Sequence, residues 1–158
     1  MAQLTGRPEV FHVDTSSVDT SQQIPLGTRA VDASGNEYIY AKGTASVVAG
    51  DWCTFPRSDY AVERSSANDI GYVGIAGTAI VAGQFGWYQI YGLRGGANVA
   101  TGASGPNPLY LTSTGGRVGT TDVAGDFIVG AFNLAPTAAS NSGTVFIKYP
   151  FVTDNAIN

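Results

Sequence analysis

From Ile70 to Leu93 the chain runs for 24 residues without an Asp, Glu, Lys or Arg. Within this run "IVAGQFGWYQIYG" (Ile80–Gly92) sets Phe85, Trp87, Tyr88, Ile90 and Tyr91 between glycines. A stretch so free of charge has four outlets: a membrane span, a glycine-rich phosphate loop, a buried strand pair, or a surface that meets another protein. A membrane helix does not fit, because six glycines and two glutamines interrupt it and the apolar pattern is not continuous. A phosphate loop does not fit either. "GYVGIAG" and "GLRGG" match neither G-x-G-x-x-G nor a P-loop, and no helix pattern follows to aim its N-terminus. Arg94-Gly95-Gly96 reads as a tight turn. In "GWYQIYG" the strand period puts Trp87, Gln89 and Tyr91 on one face and Tyr88 and Ile90 on the other. Two readings stay open: a central strand covered on both sides, or a Trp87/Gln89/Tyr91 face that meets another subunit. A homo-oligomer accommodates both.

Elsewhere the chain alternates short apolar runs with turn chemistry. "RAVDASGNEYIYAK" predicts a hairpin, with Ser34-Gly35-Asn36 turning Arg29–Val31 onto Glu37–Ala41. "PLYLTSTGGRVG" predicts another, with Gly115-Gly116 folding Leu109–Leu111 back onto Arg117–Val118. "DFIVGAFNL" and "TVFIKYPF" flank the polar loop Ala138–Gly143, and alternation assigns Val145, Ile147, Tyr149 and Phe151 to a core face. "AVERSSAN" (Ala61–Asn68) is the one stretch with room for a turn or two of helix. An internal echo adds to this: "VVAGDW", "IVAGQF" and "DVAGDF" share Val-Ala-Gly, a polar residue and an aromatic. Their glycines, Gly50, Gly83 and Gly125, lie 33 and 42 residues apart, so there is no solenoid register. The motif reads as a recurring turn, with Gly at positive φ and the aromatic opening the next strand. The expected fold is all-β: a small antiparallel β-barrel or β-tulip-like domain with an extended N-terminal arm.

At 158 residues the chain suits one domain. Residues 1–23, rich in Ser, Thr, Asp and Gln, read as the arm, and 24–158 as the domain, with core strands starting after Ile24. On that reading, removing residues 2–22 leaves the domain intact. The arm's apolar cluster is "EVFHV". As a short strand it carries Phe11 and Val13 on one side and Val10 and His12 on the other, fit to add to a sheet edge of a coat subunit or a neighbouring copy; the alternative is that it pairs with its own barrel or stays disordered.

Charged residues make up 13% of the chain, about half the usual share. Net charge is −4 and the eight basic residues are scattered, which argues against nucleic acid and against an anionic membrane surface. One cysteine, Cys53, excludes an intrachain disulfide and a cysteine zinc cluster, and "DWCTF" reads as a buried strand thiol. "MAQLTGRPEV" lacks the apolar core of a secretion signal, so synthesis in a cytosol is expected. His12 and Cys53 are single residues of their kinds, too few for a Cys/His nucleophile with an orienting group or an imidazole metal site. The acid pairs Asp51/Asp59 and Glu63/Asp69 sit in loop-like sequence. No catalytic, cofactor-binding or metal-binding residue is assigned; the expectation is a protein that is not an enzyme and uses no cofactor.

Two blocks carry a family likeness. "PLGTRAVDASGNEYIYAKGTASVVAGDW" resembles the opening of small tailed-phage structural proteins. "GIAGTAIVAGQFGWYQIYG", with "VATGASGPNPLYLTSTGGRVG" and "IVGAFNLAPTAASNSGTVFIKYPF", resembles the capsid decoration (cement) proteins of that group. The likeness spans roughly residues 24–151 and rests on glycine placement and strand rhythm. It implies a domain on the outer surface of a phage head, commonly a homotrimer, whose partner is the major capsid protein. The likeness assigns no contact residues and leaves residues 1–23 unmatched; from the strand patterns above, Val10, Phe11, His12, Val13, Trp87, Gln89 and Tyr91 are the candidate capsid or subunit contacts. The alternative is a tail- or fibre-associated module that binds a host glycan or another virion protein through Trp87, Tyr88 and nearby amides.

Overall fold

A computed structural model describes residues 14–56, 59–138 and 140–153. The candidates Val10, Phe11, His12 and Val13 lie outside the described residues. Eleven strands are formed, and the described residues contain no helix. In chain order they are β1 (Val18–Asp19), β2 (Arg29–Val31), β3 (Glu37–Gly43), β4 (Trp52–Phe55), β5 (Ala61–Arg64) and β6 (Gly71–Ala76). The long β7 (Phe85–Asn98) follows, then β8 (Asn107–Leu111), β9 (Val118–Gly119), β10 (Phe127–Asn133) and β11 (Ser142–Val152). The protein is all-β.

The strands form one large mixed sheet rather than the simple antiparallel barrel expected. Pairings run β7–β3–β5–β4–β6 and return from β6 to β7, closing a circuit, while β11, β10, β8 and β9 extend as a flank. Within that circuit β3 and β5 are parallel, with Lys42 opposite Ala61 and Gly43 opposite Val62. β5 thus occupies the stretch given room for a helix. Ala61–Arg64 is held from both sides, by β3 and by β4, where Cys53 faces Arg64. Ladder hydrogen bonds from two neighbours outweigh a weak local helix preference.

The charge-free run is explained by burial on both faces. β6 loads Val73 and Ile75 into one core, with Trp52, Leu109, Leu111, Ile128 and Ile147. On its other face Ala76 joins a second core inside the circuit, with Ile39, Cys53, Phe55, Val62, Ile80, Tyr88 and Ile90. A strand between two cores has no side left for a charge. β7 stands in the same position, with Tyr88 and Ile90 in the second core and Trp87 in a third cluster with Ala30, Tyr38 and Tyr40. Arg94-Gly95-Gly96 is not a turn. It continues β7 opposite β11, where Val145 faces Arg94 and Thr144 faces Gly95, and a register shift at Gly143/Thr144 accommodates Gly96 at φ 71°.

Both expected hairpins form: Val31 pairs Glu37 across the Gly35 turn, and Leu111 pairs Val118 across Gly115-Gly116. β10 and β11 pair across the polar loop. The echoed Val-Ala-Gly motif is one turn used three times. Gly50, Gly83 and Gly125 sit at φ 88°, 90° and 84°. Each turn is closed by the same backbone bond, from Asp51 to Val48 (3.1 Å), Gln84 to Val81 (3.0 Å) and Asp126 to Val123 (3.1 Å). Positive φ at the third turn position is the type II geometry, which favours Gly. In the first two turns the polar residue also caps the loop: Asp51 Oδ2 accepts from the Val48 N–H at 3.1 Å, and Gln84 Oε1 from the Val81 N–H at 3.0 Å. The next residue, Trp52, Phe85 or Phe127, opens β4, β7 or β10.

Part of the stretch read as the arm lies on the sheet. Val18 and Asp19 pair with Gly86 and Phe85 of β7, Val18 packs on the second core, and Asp19 accepts the Tyr40 hydroxyl at 2.6 Å. Burial, with this bond to Asp19, pushes the Tyr40 hydroxyl up to about 12, so it stays a donor. Residues 14–23 therefore belong to the folded body.

Candidate functional site

Strand alternation in β11 fails at one residue, and a surface results. Val145 and Ile147 are buried as expected, but Tyr149 takes a left-handed backbone at φ 45°. Beyond it Pro150 and Val152 turn inward, leaving Tyr149 (40% exposed) and Phe151 (36%) outside. The expected core face Val145/Ile147/Tyr149/Phe151 is thus only half realised. The register with β10 shifts there: between the pairs Val129–Phe151 and Ala131–Ile147, β10 passes one residue, Gly130 at φ 79°, while β11 passes three, Lys148, Tyr149 and Pro150. Facing reverses in both strands across this irregularity: Ile128 and Ala131 are the buried residues on either side of it in β10, Ile147 and Pro150 in β11.

The reversal brings Tyr149 to the rim of an apolar cavity of about 700 Å³. Its apolar lining includes Ile39, Phe55 and Ile90, all members of the core within the strand circuit. Tyr60, Tyr72 and Tyr149 also line it, with Arg29 the one charged residue of the lining among the described residues. Tyr72 is 71% exposed, and Phe151 lies directly across from it on β11, which extends the aromatic surface outward.

Two rim tyrosines are held in conformations that side chains rarely adopt. Four non-glycine residues among those described have positive φ: Tyr60 (55°), Asn68 (68°), Asn141 (52°) and Tyr149 (45°). Asparagine visits this region readily; tyrosine does not. Both tyrosines line the cavity. Strain of this kind costs roughly 1–3 kcal/mol per residue and persists only where surrounding contacts over-determine it. At Tyr60 the contact is Gly27, where even a methyl group would come within 2.5 Å of the ring. At Tyr149 it is a cluster. The hydroxyl donates to Glu37 Oε1 at 2.8 Å, the Tyr91 ring lies 5.4 Å away, and the Arg29 guanidinium sits over the ring at 5.7 Å. The bond to Glu37 and burial raise the Tyr149 hydroxyl above the ordinary tyrosine value, so the donor stays protonated.

The expected contact face on β7 is elsewhere and closed. Trp87 (2% exposed) lies against Tyr40, ring centroids 5.2 Å apart, and Gln89 (1%) donates to the carbonyls of Tyr91 and Leu93 at 3.2 and 3.1 Å. Of the three, Tyr91 is half-buried and acts as a support for Tyr149. The covered-strand reading describes this segment.

The other chemistry-bearing residues are structural. Asp51, read as a loop acid, is fully buried, with Arg64 Nε at 2.9 Å and Asn98 Nδ2 at 2.9 Å. Asp69 accepts from the Ser66 N–H at 2.8 Å and from Thr54 Oγ1 at 3.2 Å. Cys53 is fully buried, and burial pushes its thiol well above the ordinary value. In native protein it is expected to resist a water-soluble disulfide reagent, with labelling only as fast as the sheet opens. Stoichiometric reaction within minutes in native buffer would contradict this placement of β4.

The chain matches no family model and no curated protein sequence.

Proposed function

We propose that this protein is a non-enzymatic structural component of a tailed-phage virion, a decoration protein that binds the outer surface of the head and stabilises it. What carries the reading beyond the family likeness is the exposed aromatic surface of Tyr60, Tyr72, Tyr149 and Phe151 on a rigid sheet. Aromatic groups fixed on strands bury large area at little entropic cost and are the usual anchors of protein interfaces. Low charge fits a molecule seated among neighbours. Stabilisation follows mass action: a ligand that binds only the mature lattice favours it by an amount set by affinity and concentration. A homotrimer would place several such surfaces on one particle and gain avidity without tighter single contacts.

The test is co-sedimentation of the purified protein with heads of the parent virion, with density located by cryo-microscopy. Head-face density is expected; density confined to the tail sinks the decoration reading. Because aromatic burial dominates, occupancy should change little between 0.05 and 0.5 M salt, on the order of threefold or less. The double substitution Tyr72→Ala/Phe151→Ala should keep the fold and weaken binding about tenfold or more. A steep salt dependence, or wild-type binding by the double variant, refutes attachment through this face.

A further inference from the structure

Arg29 is the feature of the cavity that a merely sticky surface does not explain. It projects from β2, whose ladder partner among the described residues is β3 alone, and lines the cavity beside Tyr60, Tyr72 and Tyr149. Among the described residues it makes no ion pair; the one salt bridge joins Arg64 to Asp51. Its guanidinium is nevertheless placed, over the Tyr149 ring at 5.7 Å, and that ring is itself fixed by Glu37 and Tyr91. The Glu37 carboxylate, the nearest acid in this cluster, is engaged by the Tyr149 hydroxyl. A positioned guanidinium at the edge of an apolar pocket is the pattern that recognises a carboxylate attached to an apolar body. The cavity, about 700 Å³, lies within the range of pockets that enclose ligands of some 300–1,000 Å³.

We infer that this cavity is a receptor for a polypeptide segment in which a large apolar side chain neighbours an Asp or Glu. The side chain enters against Ile39, Phe55 and Ile90, and the carboxylate pairs with Arg29. The edge of β2 away from β3, unpaired among the described residues, adjoins Arg29 and offers main-chain groups to an extended segment. This inference rests on the proposal that the protein attaches to a protein surface, and it names the chemistry of the attachment point. Tyr60 and Tyr149 acquire a role on this account: their left-handed backbones turn two rings to flank the entering group.

The probes are three blocked dipeptides, acetyl-Phe-Asp-amide, acetyl-Phe-Asn-amide and acetyl-Ala-Asp-amide, with 3-phenylpropanoate as a fourth. Each is titrated into the full chain while the backbone amide resonances of Tyr60, Tyr72 and Tyr149 are followed. The Phe-Asp peptide should shift these resonances saturably and bind at least about fivefold more tightly than the other two peptides, the worth of a roughly 1 kcal/mol contact. Arg29→Gln, exposed and outside the core, should keep the native spectrum and abolish the preference for Asp over Asn. Equal binding of Phe-Asp and Phe-Asn, or shifts elsewhere on the molecule, overturns the inference. If 3-phenylpropanoate binds as tightly as Phe-Asp, the site takes small carboxylic acids and the polypeptide proposal is wrong. Head binding by wild-type protein is scored separately, so decorated heads with a silent cavity would refute this inference and leave the decoration reading standing.

Discussion

Gly50→Ala is expected to cost on the order of 4 kcal/mol or more, and Gly83→Ala only about 1–2, although both glycines hold the same place in the same turn. Their backbones are alike, at φ 88° and 90°. The difference is what a methyl group would meet. At Gly83 nothing among the described residues lies within 4 Å, so the substitution carries only the left-handed penalty of an L-residue. At Gly50 it would collide with the carbonyl oxygen of Gly96 in β7. That backbone has no freedom to retreat. The Gly50 N–H donates to Ala76 at 3.0 Å and its carbonyl accepts from Asn98 at 2.9 Å, locking the turn between β6 and β7. Next to it Asp51 is buried with Arg64 and Asn98, so any displacement also disturbs a buried charge. Urea unfolding of the two variants checks this. Since whole domains are stable by about 5–15 kcal/mol, Gly50→Ala should forfeit a large share or fail to fold. Equal midpoints would mean that the β4 turn is not packed against β7 in this way.

The same contrast shows which parts of the fold a reader of the chain recovers. The turns are legible because their cause is local: Gly supplies the φ, the adjoining Asp or Gln caps the loop, and the aromatic resumes the strand. The two hairpins and the β10–β11 pair are legible for the same reason. The charge-free run is legible as a buried strand pair, since burial on both faces leaves no place for a charge. Three features lie outside local reach. β5 is a strand because β3 and β4 bracket it, and nothing within "AVER" says so. β1 belongs to the sheet through Val18 and the Asp19–Tyr40 bond, a partnership across 21 positions that polar, Ser-rich surroundings conceal. The cavity is the clearest case. β11 reverses at Tyr149, within the three residues that stand opposite Gly130 alone, and strict alternation sends Tyr149 and Phe151 to the wrong side. The signals were present, in Gly130 within "IVGAF" and Pro150 breaking "KYPF", but a bulge's phase depends on the partner strand. Trp87 and Gln89 mislead for the opposite reason: their pattern fits an interface, and the residues packed with Trp87, among them Ile24, Leu26, Ala30 and Tyr40, are distant in sequence.

Truncation at the N-terminus separates the arm from the body. Removal of residues 1–13 supplies the reference thermal midpoint, because Asp14 onward carries the contacts described above. Removal of residues 1–22 should lower it by roughly 5–15 °C, equivalent to about 2–4 kcal/mol for a domain of this size. The loss has identifiable parts. Val18 no longer covers the core of the strand circuit, worth about 1.5–3 kcal/mol if fully buried and less here, where it is half-buried. Tyr40 loses the carboxylate that accepts its hydroxyl, a charge-assisted bond of about 1.5–3 kcal/mol. The carbonyl of Thr15 leaves its seat against Gly77, where a side chain would come within 2.8 Å of it. Asp19→Asn in the full chain isolates the second part and should lose a smaller share, since an amide still accepts the hydroxyl without the charge. Differential scanning calorimetry of the four proteins decides the matter. If both truncations melt together with the full chain, β1 contributes nothing and the folded body begins after Ile24. If the shorter truncation alone already lowers the midpoint, residues 1–13 carry stabilising contacts of their own, and arm deletions can no longer be read as tests of head binding.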